Sequence, residues 1–348
     1  MHMADALISP AVGGTMWAAS AGLLGWCARK VPQTADARLV PMMGVLGAFI
    51  FAAQMINFSI PGTGSSGHLG GGMILAILLG PYAAFLVIAS VLTVQALFFA
   101  DGGLLALGCN VFNLGFFPAF IAYPFIYKPL VGSARKGARF WIAVMLAAVA
   151  GLQMGAFGVV METTLSGISD LPFRTFALLM QPIHLGIGVV EGLATAAVVS
   201  FVLQARPEAL TESASSASGA AGDWRRVAAG LLLAAVVVGG ALSWFASTHP
   251  DGLEWSMAKV SGKEELESPE AGVHESLAHL QEKTAFLPDY GFKAAATGPA
   301  EATAAEAPAR WPAMSAGTSV AGLVGGALTL LLAGLIGFAL KRKGNSHA

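Results

Sequence analysis

The sequence predicts an all-α integral membrane protein: a seven-helix unit, then a two-helix unit with an extracytoplasmic loop. Three observations predict this class. Of the 348 residues, 55% are hydrophobic and only 11% charged, where a soluble domain runs about 45–50% apolar and about 25% charged. The mean hydropathy is +0.69, and the apolar residues fall in runs long enough to cross a bilayer, which takes about 20 residues. The 43 glycines suit helices that pack closely in lipid. The net charge of −1 excludes a basic nucleic-acid binder. Cys27 and Cys109 both lie inside apolar runs, which excludes a disulfide scaffold and a Cys-rich zinc site.

Apolar runs place spans at about 8–28, 39–57, 82–99, 104–127, 140–160 and 178–204, and two more at about 227–246 and 318–340. The stretch 69–80 opens on glycines, closes at Gly80-Pro81 and is too short for a comfortable span, so it reads as a short or re-entrant helix. Irregular backbone at that depth needs protein or a polar cavity around it, which hints at a site. Counting 69–80 as a crossing gathers thirteen of the 19 Lys and Arg on one face, among them Arg29, Lys30, Lys128, Arg139, Arg225 and Lys341. By the positive-inside rule that face is cytoplasmic. Nine crossings follow, with the N-terminus outside and the C-terminus in the cytoplasm.

Residues 1–204 form the first unit, 205–226 a flexible Ser/Ala/Gly-rich cytoplasmic linker, and 227–348 the second unit with its outside segment at 247–317. That segment carries 11 acidic and 5 basic side chains. Its stretch 293–310 has a disordered composition, and 262–284 reads as a polar helix. The chain start lacks a basic n-region and has Asp5 instead, unlike a cleavable signal peptide. A plain membrane anchor is the bland alternative.

This topology brings His2 and the glycine-loop residue His68 to the same outer face. The amine of Met1, the backbone nitrogen of His2 and its ring Nδ1 can close a five- and a six-membered chelate ring on one metal ion. A nitrogen from His68 would complete a square, a geometry suited to Ni(II) or Cu(II). The amine must be unprotonated, so binding releases protons. Ser65 and Ser66 are placed to hydrogen-bond ligand nitrogens, and Asp5 to orient an imidazole N–H. Against this stands the ordinary reading of a loop histidine as a solvated residue.

Here the motifs resemble a known family. Met1-His2-Met3-Ala4-Asp5-Ala6-Leu7-Ile8-Ser9-Pro10, the loop Ser66-Gly67-His68-Leu69-Gly70-Gly71 and the turn Gly80-Pro81-Tyr82-Ala83 resemble the CbiM/NikM family. So do the stretch Gln95–Gly103, Gly108-Cys109-Asn110-Val111-Phe112-Asn113, and His184 through Glu191-Gly192. The second unit resembles the partner N component through Pro250-Asp251-Gly252-Leu253-Glu254. The resemblance implies the substrate-capture subunit of an energy-coupling-factor (ECF) importer for nickel or cobalt, with the N component fused in cis. It implies a near-planar four-nitrogen site made by Met1, His2 and His68, a metal that is cargo and not cofactor, a transmembrane coupling subunit, and two cytoplasmic ATPases. A prokaryotic plasma (inner) membrane is the setting that this family resemblance implies. Met3 departs from the Met-His-Ile start of many relatives. Rival classes are a membrane sensor or storage protein that binds without transport, a cobalt-uptake component serving cobalamin biosynthesis, and a membrane enzyme of cobalamin assembly. No Walker motif is present, so the chain supplies no ATPase site of its own.

Other polar residues carry two readings each. His184 and Glu191, seven apart in a span, are either an intramembrane functional pair or a structural one. Asn110 and Asn113 share a helix face, as Gln54 and Gln95 do if their helices adjoin; hydrogen-bonding glue between helices is the ordinary reading. Asp101 reads as a turn or cap residue. Met16, Met42, Met43, Met55 and Met73 read as apolar filler, with a thioether path as the alternative. His274 and His279 read as a solvated face.

Overall fold

The computed structural model describes residues 2–34, 38–205, 221–293 and 311–345. Met1, most of the linker expected at 205–226 and nearly all of the stretch 293–310 lie outside the described residues. The helices are α1 (Pro10–Thr34), α2 (Leu39–Gln54), α3 (Gly72–Leu79) and α4 (Pro81–Phe99). Then come α5 (Leu107–Val131), α6 (Ala138–Ser166), α7 (Phe173–Ala205) and α8 (Ala221–Gly240). The chain closes with α9 (Gly252–Ser261), α10 (Val273–Thr284) and α11 (Ala316–Asn345).

Five of these, α4 to α7 and α11, are long and apolar enough to cross a membrane, and α2 is a shorter apolar helix. The protein is therefore a multi-pass membrane protein. α1 and α8 occupy the spans expected at 8–28 and 227–246 but are not among the five. The expectation of purely α structure needs one correction. Residues Phe58–Ile60 (β1) and Ser65–Gly67 (β2) form a small antiparallel hairpin, with Ser59 opposite Ser66.

α5 differs from an ordinary span. From Phe112 to Tyr127 it is wound in π geometry, with Pro118 and Pro124 inside. Each proline removes a backbone donor and crowds the preceding turn. The polar helix expected at 262–284 begins only at Val273. Gly262 ends α9 in the left-handed conformation, and Gly272, also at positive φ, precedes α10.

Most connections at one end of the bundle meet there. The hairpin touches the turn before α9 through Ser66 N–H to Pro250 O at 2.8 Å and Ser247 N–H to Asn57 O at 2.7 Å. Gly103 N–H reaches Met3 O at 2.9 Å. α3, about 12 Å long at 1.5 Å per residue, leads away from this end to Gly80-Pro81, where α4 turns back towards it. The two-span helices pack against the first unit and each other. Gly239 of α8 faces Gly322 of α11 backbone to backbone, and a Cβ on Gly325 of α11 would fall on the fully buried Phe51 ring of α2.

Gly325→Val should therefore destabilise the purified chain by about 1–3 kcal/mol, the usual cost of overpacking. Gly334→Ala, which meets open space, should be near neutral. Equal thermal midpoints in detergent for both would contradict the α2–α11 packing.

Candidate metal centre

The N-terminal arm is clamped before it enters α1. Met3 N–H donates to Asn110 Oδ1 at 2.8 Å, and Asn110 Nδ2 returns a bond to Met3 O at 3.2 Å. Asp5 Oδ1 accepts from Ala106 N–H at 2.9 Å, and Gly103 sits so close that any Cβ there would strike the Asp5 carboxylate. This clamp carries the His2 side chain, only 6% exposed, into the bundle end.

The glycine loop arrives from the other side. His68 is buried, and its ring lies 4.9 Å from that of His2 between centroids. Its Nδ1–H donates to Leu69 O at 3.0 Å, which leaves Nε2 as the nitrogen with the lone pair. Burial pushes the His68 pKa down to about 3, so the ring is neutral, the form that binds metals. Glu191 of α7 holds the backbone beyond it. Its two carboxylate oxygens accept from Gly70 N–H at 2.8 Å and Gly71 N–H at 2.9 Å. Gln54 Nε2 donates to Gly70 O at 2.8 Å, and Gln95 Nε2 to Gln54 Oε1 at 2.9 Å. Gly71 has φ +78 and lies against Ile50, so a side chain there is excluded twice, by strain and by contact.

Asp101 completes the pair. Its Oδ1 accepts from His2 Nδ1–H at 2.7 Å, and its Oδ2 accepts from the Tyr290 hydroxyl. Burial alone would raise the Asp101 pKa; the neighbouring His2 and the bonds from His2 and Tyr290 outweigh it and hold the carboxyl well below the usual range. His2 Nε2 is buried and has no hydrogen-bond partner among the described residues.

Both imidazoles line a cavity of about 430 Å³ whose far side is built by the second unit, including Asp251, Glu254, His274, Gln281 and Tyr290. Asp251 caps α9 through Leu253 N–H at 2.7 Å and Glu254 N–H at 2.9 Å, while Glu254 bonds back to Asp251 N–H at 2.7 Å. This capping box is the physical content of the Pro250–Glu254 motif. Gly252 packs on Ile183 and His184 of α7, where a Cβ would not fit. Among the described residues no three His, Cys, Asp or Glu side chains come together as a metal cluster. A metal ion at the two imidazoles needs donors beyond these side chains.

The structure brings His2 and His68 together and corrects several expected roles. Ser65 and Ser66 do not reach the ring nitrogens: Ser65 Oγ pairs with Thr63 Oγ1 and Ser66 Oγ donates to His249 O, both at 2.8 Å. Asp5 serves the Ala106 backbone, and the carboxylate on His2 is Asp101, more than a turn residue. His184 and Glu191 are not paired. His184 Nδ1–H donates to Met180 O at 2.7 Å, while Glu191 is spent on the glycine loop. Asn113 Nδ2 donates to Glu162 Oε2 at 2.7 Å. His274 is buried, not solvated, with Nε2–H on Ile8 O at 2.9 Å. The ring orientation of His2 also differs from the expected chelate, because the Nδ1 it requires faces Asp101. Asp101 and Tyr290 were missed because they act across long sequence separations; the only sequence signal was Asp101 beside two glycines.

Fold and site define a multi-pass helical membrane protein with paired buried imidazoles at one bundle end. The family model described as cobalt uptake substrate-specific transmembrane region (CbiM) matches residues 2–209, and a PDGLE domain matches 225–342. The chain belongs to the CbiM family and is a fused protein of the CbiM/NikM type. It is 38% identical over 221 residues to the putative fused nickel transport protein NikMN of Archaeoglobus fulgidus, covering 62% of this chain and 69% of that one. It is 31% identical to the probable fused nickel transport protein LarMN of Lactiplantibacillus plantarum, covering 61% and 67%. To the cobalt transport protein CbiM of Sorangium cellulosum it is 31% identical, over 54% and 90%. The crystal structure of a truncated transition metal transporter aligns with a TM-score of 0.52 at 31% identity, over 59% of this chain and 99% of that one.

Glu191→Ala strands two buried N–H groups, at about 1–3 kcal/mol each, and should lower the thermal midpoint of the purified chain, with Glu191→Gln falling between. An unchanged midpoint would sink the role assigned to Glu191. The His68 ring should show no NMR titration between pH 8 and 5. Its folded pKa lies below the ordinary 6.5, so the unfolded chain binds more protons and stability falls as pH drops below that value.

Proposed function

We propose that this chain is the substrate-specific membrane component of an ECF-type importer for divalent transition metal ions, Ni2+ first and Co2+ close behind. The observation that carries the reading is the pair of buried imidazoles, His2 and His68, 4.9 Å apart on a clamped arm and a clamped loop. The ion is held in a planar four-nitrogen site by the Met1 amine, the His2 amide and imidazole, and His68. Forming it requires the His2 ring to turn about Cβ–Cγ so that Nδ1 leaves Asp101. Side-chain clusters among the described residues do not offer an alternative, and backbone donors are what a planar chelate adds.

In this reading residues 1–204 are the seven-crossing metal-binding unit, 205–226 the cytoplasmic linker, and 227–348 the two-span unit. Thirteen basic residues on the opposite face support an outside N-terminus and a cytoplasmic C-terminus. The second unit lies over the site as a cover and not as a remote appendage, which supports a part in loading the ion. Without a phosphate-binding motif of its own, the chain relies for energy on a transmembrane coupling subunit and two cytoplasmic ATPases. Relatives named for nickel and for cobalt both support the cargo class.

The test is Ni2+ and Co2+ binding by the full chain, native and with one residue added before Met1. The native form should bind tightly with a square-planar Ni2+ band, and the added residue should abolish that band and weaken binding at least a hundredfold. His68→Ala should do the same. Undiminished binding by the extended form would place the ligands elsewhere. Deleting 227–340 should lower metal uptake in cells that hold the partner subunits, and unchanged uptake would refute the part given to the second unit.

A further inference from the structure

We propose that the ion makes its first contact with His2 through Nε2, with Nδ1 backed by Asp101 and Asp101 held by Tyr290 of the second unit, before the ring turns to close the terminal chelate. The inference rests on the reading of His2 as a ligand and adds an entry geometry and three residue roles to it.

Three observations carry it. A carboxylate only accepts, so the 2.7 Å bond from His2 Nδ1 to Asp101 Oδ1 puts a proton on Nδ1, and in the neutral ring the lone pair is then on Nε2. That Nε2 is buried, belongs to a residue that lines the cavity and has no partner among the described residues, an arrangement that in a native structure calls for an explanation such as a bound ion. Imidazoles that bind metals commonly donate their other N–H to a carboxylate, which fixes the tautomer and raises ligand basicity; the Asp101–His2 pair already has that form.

Tyr290 ties the arrangement to the second unit. Its hydroxyl occupies the remaining Asp101 oxygen, and its ring stacks on Phe99 at 5.1 Å. To reach there, Asp289 and Tyr290 both adopt positive φ, 50° and 57°, a conformation non-glycine residues hold only when surrounding contacts impose it. The His68 tautomer matches, since its Nδ1–H is spent on Leu69 O and Nε2 is again the nitrogen with the lone pair. Both rings thus give their Nδ1–H to an oxygen acceptor. When the His2 ring turns to give Nδ1 to the ion, its proton moves from Nδ1 to Nε2 through solvent, so the number of protons on the ring does not change. Asp101 and Tyr290 are thus positioning residues and touch the ion at no stage.

The test uses the full chain with one glycine added before Met1, in which the terminal chelate cannot close, and Co2+ as the optical probe. This form should keep weak Co2+ binding with an imidazole-type visible spectrum. Asp101→Asn and, separately, Tyr290→Phe should weaken that residual binding about tenfold or more, and Asp101→Glu should restore part of it. Elution position and helical circular dichroism confirm that each variant is folded; Tyr290→Phe removes only one oxygen and decides the matter if Asp101→Asn fails to fold. Residual binding indifferent to both substitutions, or none at all in a chain whose native form binds tightly, overturns the first-contact site. If extension leaves native binding untouched, the terminal chelate fails instead, and Asp101→Asn and Tyr290→Phe still decide this proposal by the same loss.

Discussion

The site hangs on one carboxylate. A chain that leaves helical geometry inside a helix bundle exposes N–H and C=O groups that nothing in a bilayer can satisfy. Residues 68–71 do so, and Glu191 answers by accepting both Gly70 N–H and Gly71 N–H, while Gln54 takes care of Gly70 O. With those three bonds made, the loop can run close to Ile50 and Leu114 without side chains of its own at 70 and 71. His68 then has a fixed backbone, and a bond from its own Nδ1 to Leu69 O fixes its ring.

The second unit supplies what the first lacks at that end of the bundle, namely a roof. Its contacts are spread over the whole rim. Ser66 meets Pro250, Trp255 Nε1 donates to Thr63 O at 3.0 Å, His274 meets Ile8, Gln281 meets Ala96 O and Gly102 O, and Tyr290 meets Asp101. Most of these end on backbone carbonyls, those of Thr63, Ile8, Ala96 and Gly102 in the first unit, so they register the position of the chain and not the identity of a side chain. A roof built this way senses movement of the arm or loop beneath it. That gives a physical reason for carrying both units in one chain.

Membrane class and most helices were legible because bilayer thickness leaves a direct trace in the length of apolar runs. The His2–His68 meeting was legible too, once the spans set which loops share a face. Other features left no such trace. The pairing of Glu191 with two backbone N–H groups is invisible in periodicity, and its seven-residue offset from His184 pointed to the wrong partner. Asp101 and Tyr290 are 189 positions apart, beyond any local pattern. The histidine His274 looked solvated because its helix is polar around it, yet that one position faces Ile8 O. The π winding of α5 follows from prolines whose effect depends on how neighbouring helices accept the displaced carbonyls.

The centre's chemistry also constrains what it can select. It brings two imidazoles together, and the carboxylate Asp101 stands behind one ring while its second oxygen is occupied by Tyr290. Hard ions such as Mg2+ and Ca2+ seek oxygen ligands and give up water reluctantly, so the most abundant divalent cations gain least here. Borderline ions such as Ni2+ and Co2+ gain most from imidazole nitrogen. Placing the charge one bond back from the ion has a second consequence. A carboxylate in direct contact would attract every divalent cation alike, whereas a carboxylate acting through a ring strengthens only a bond that the ring can make. On the proposed reading, selection against common cations and retention of negative charge would draw on the same residue and would depend on Asp101 staying where Tyr290 holds it.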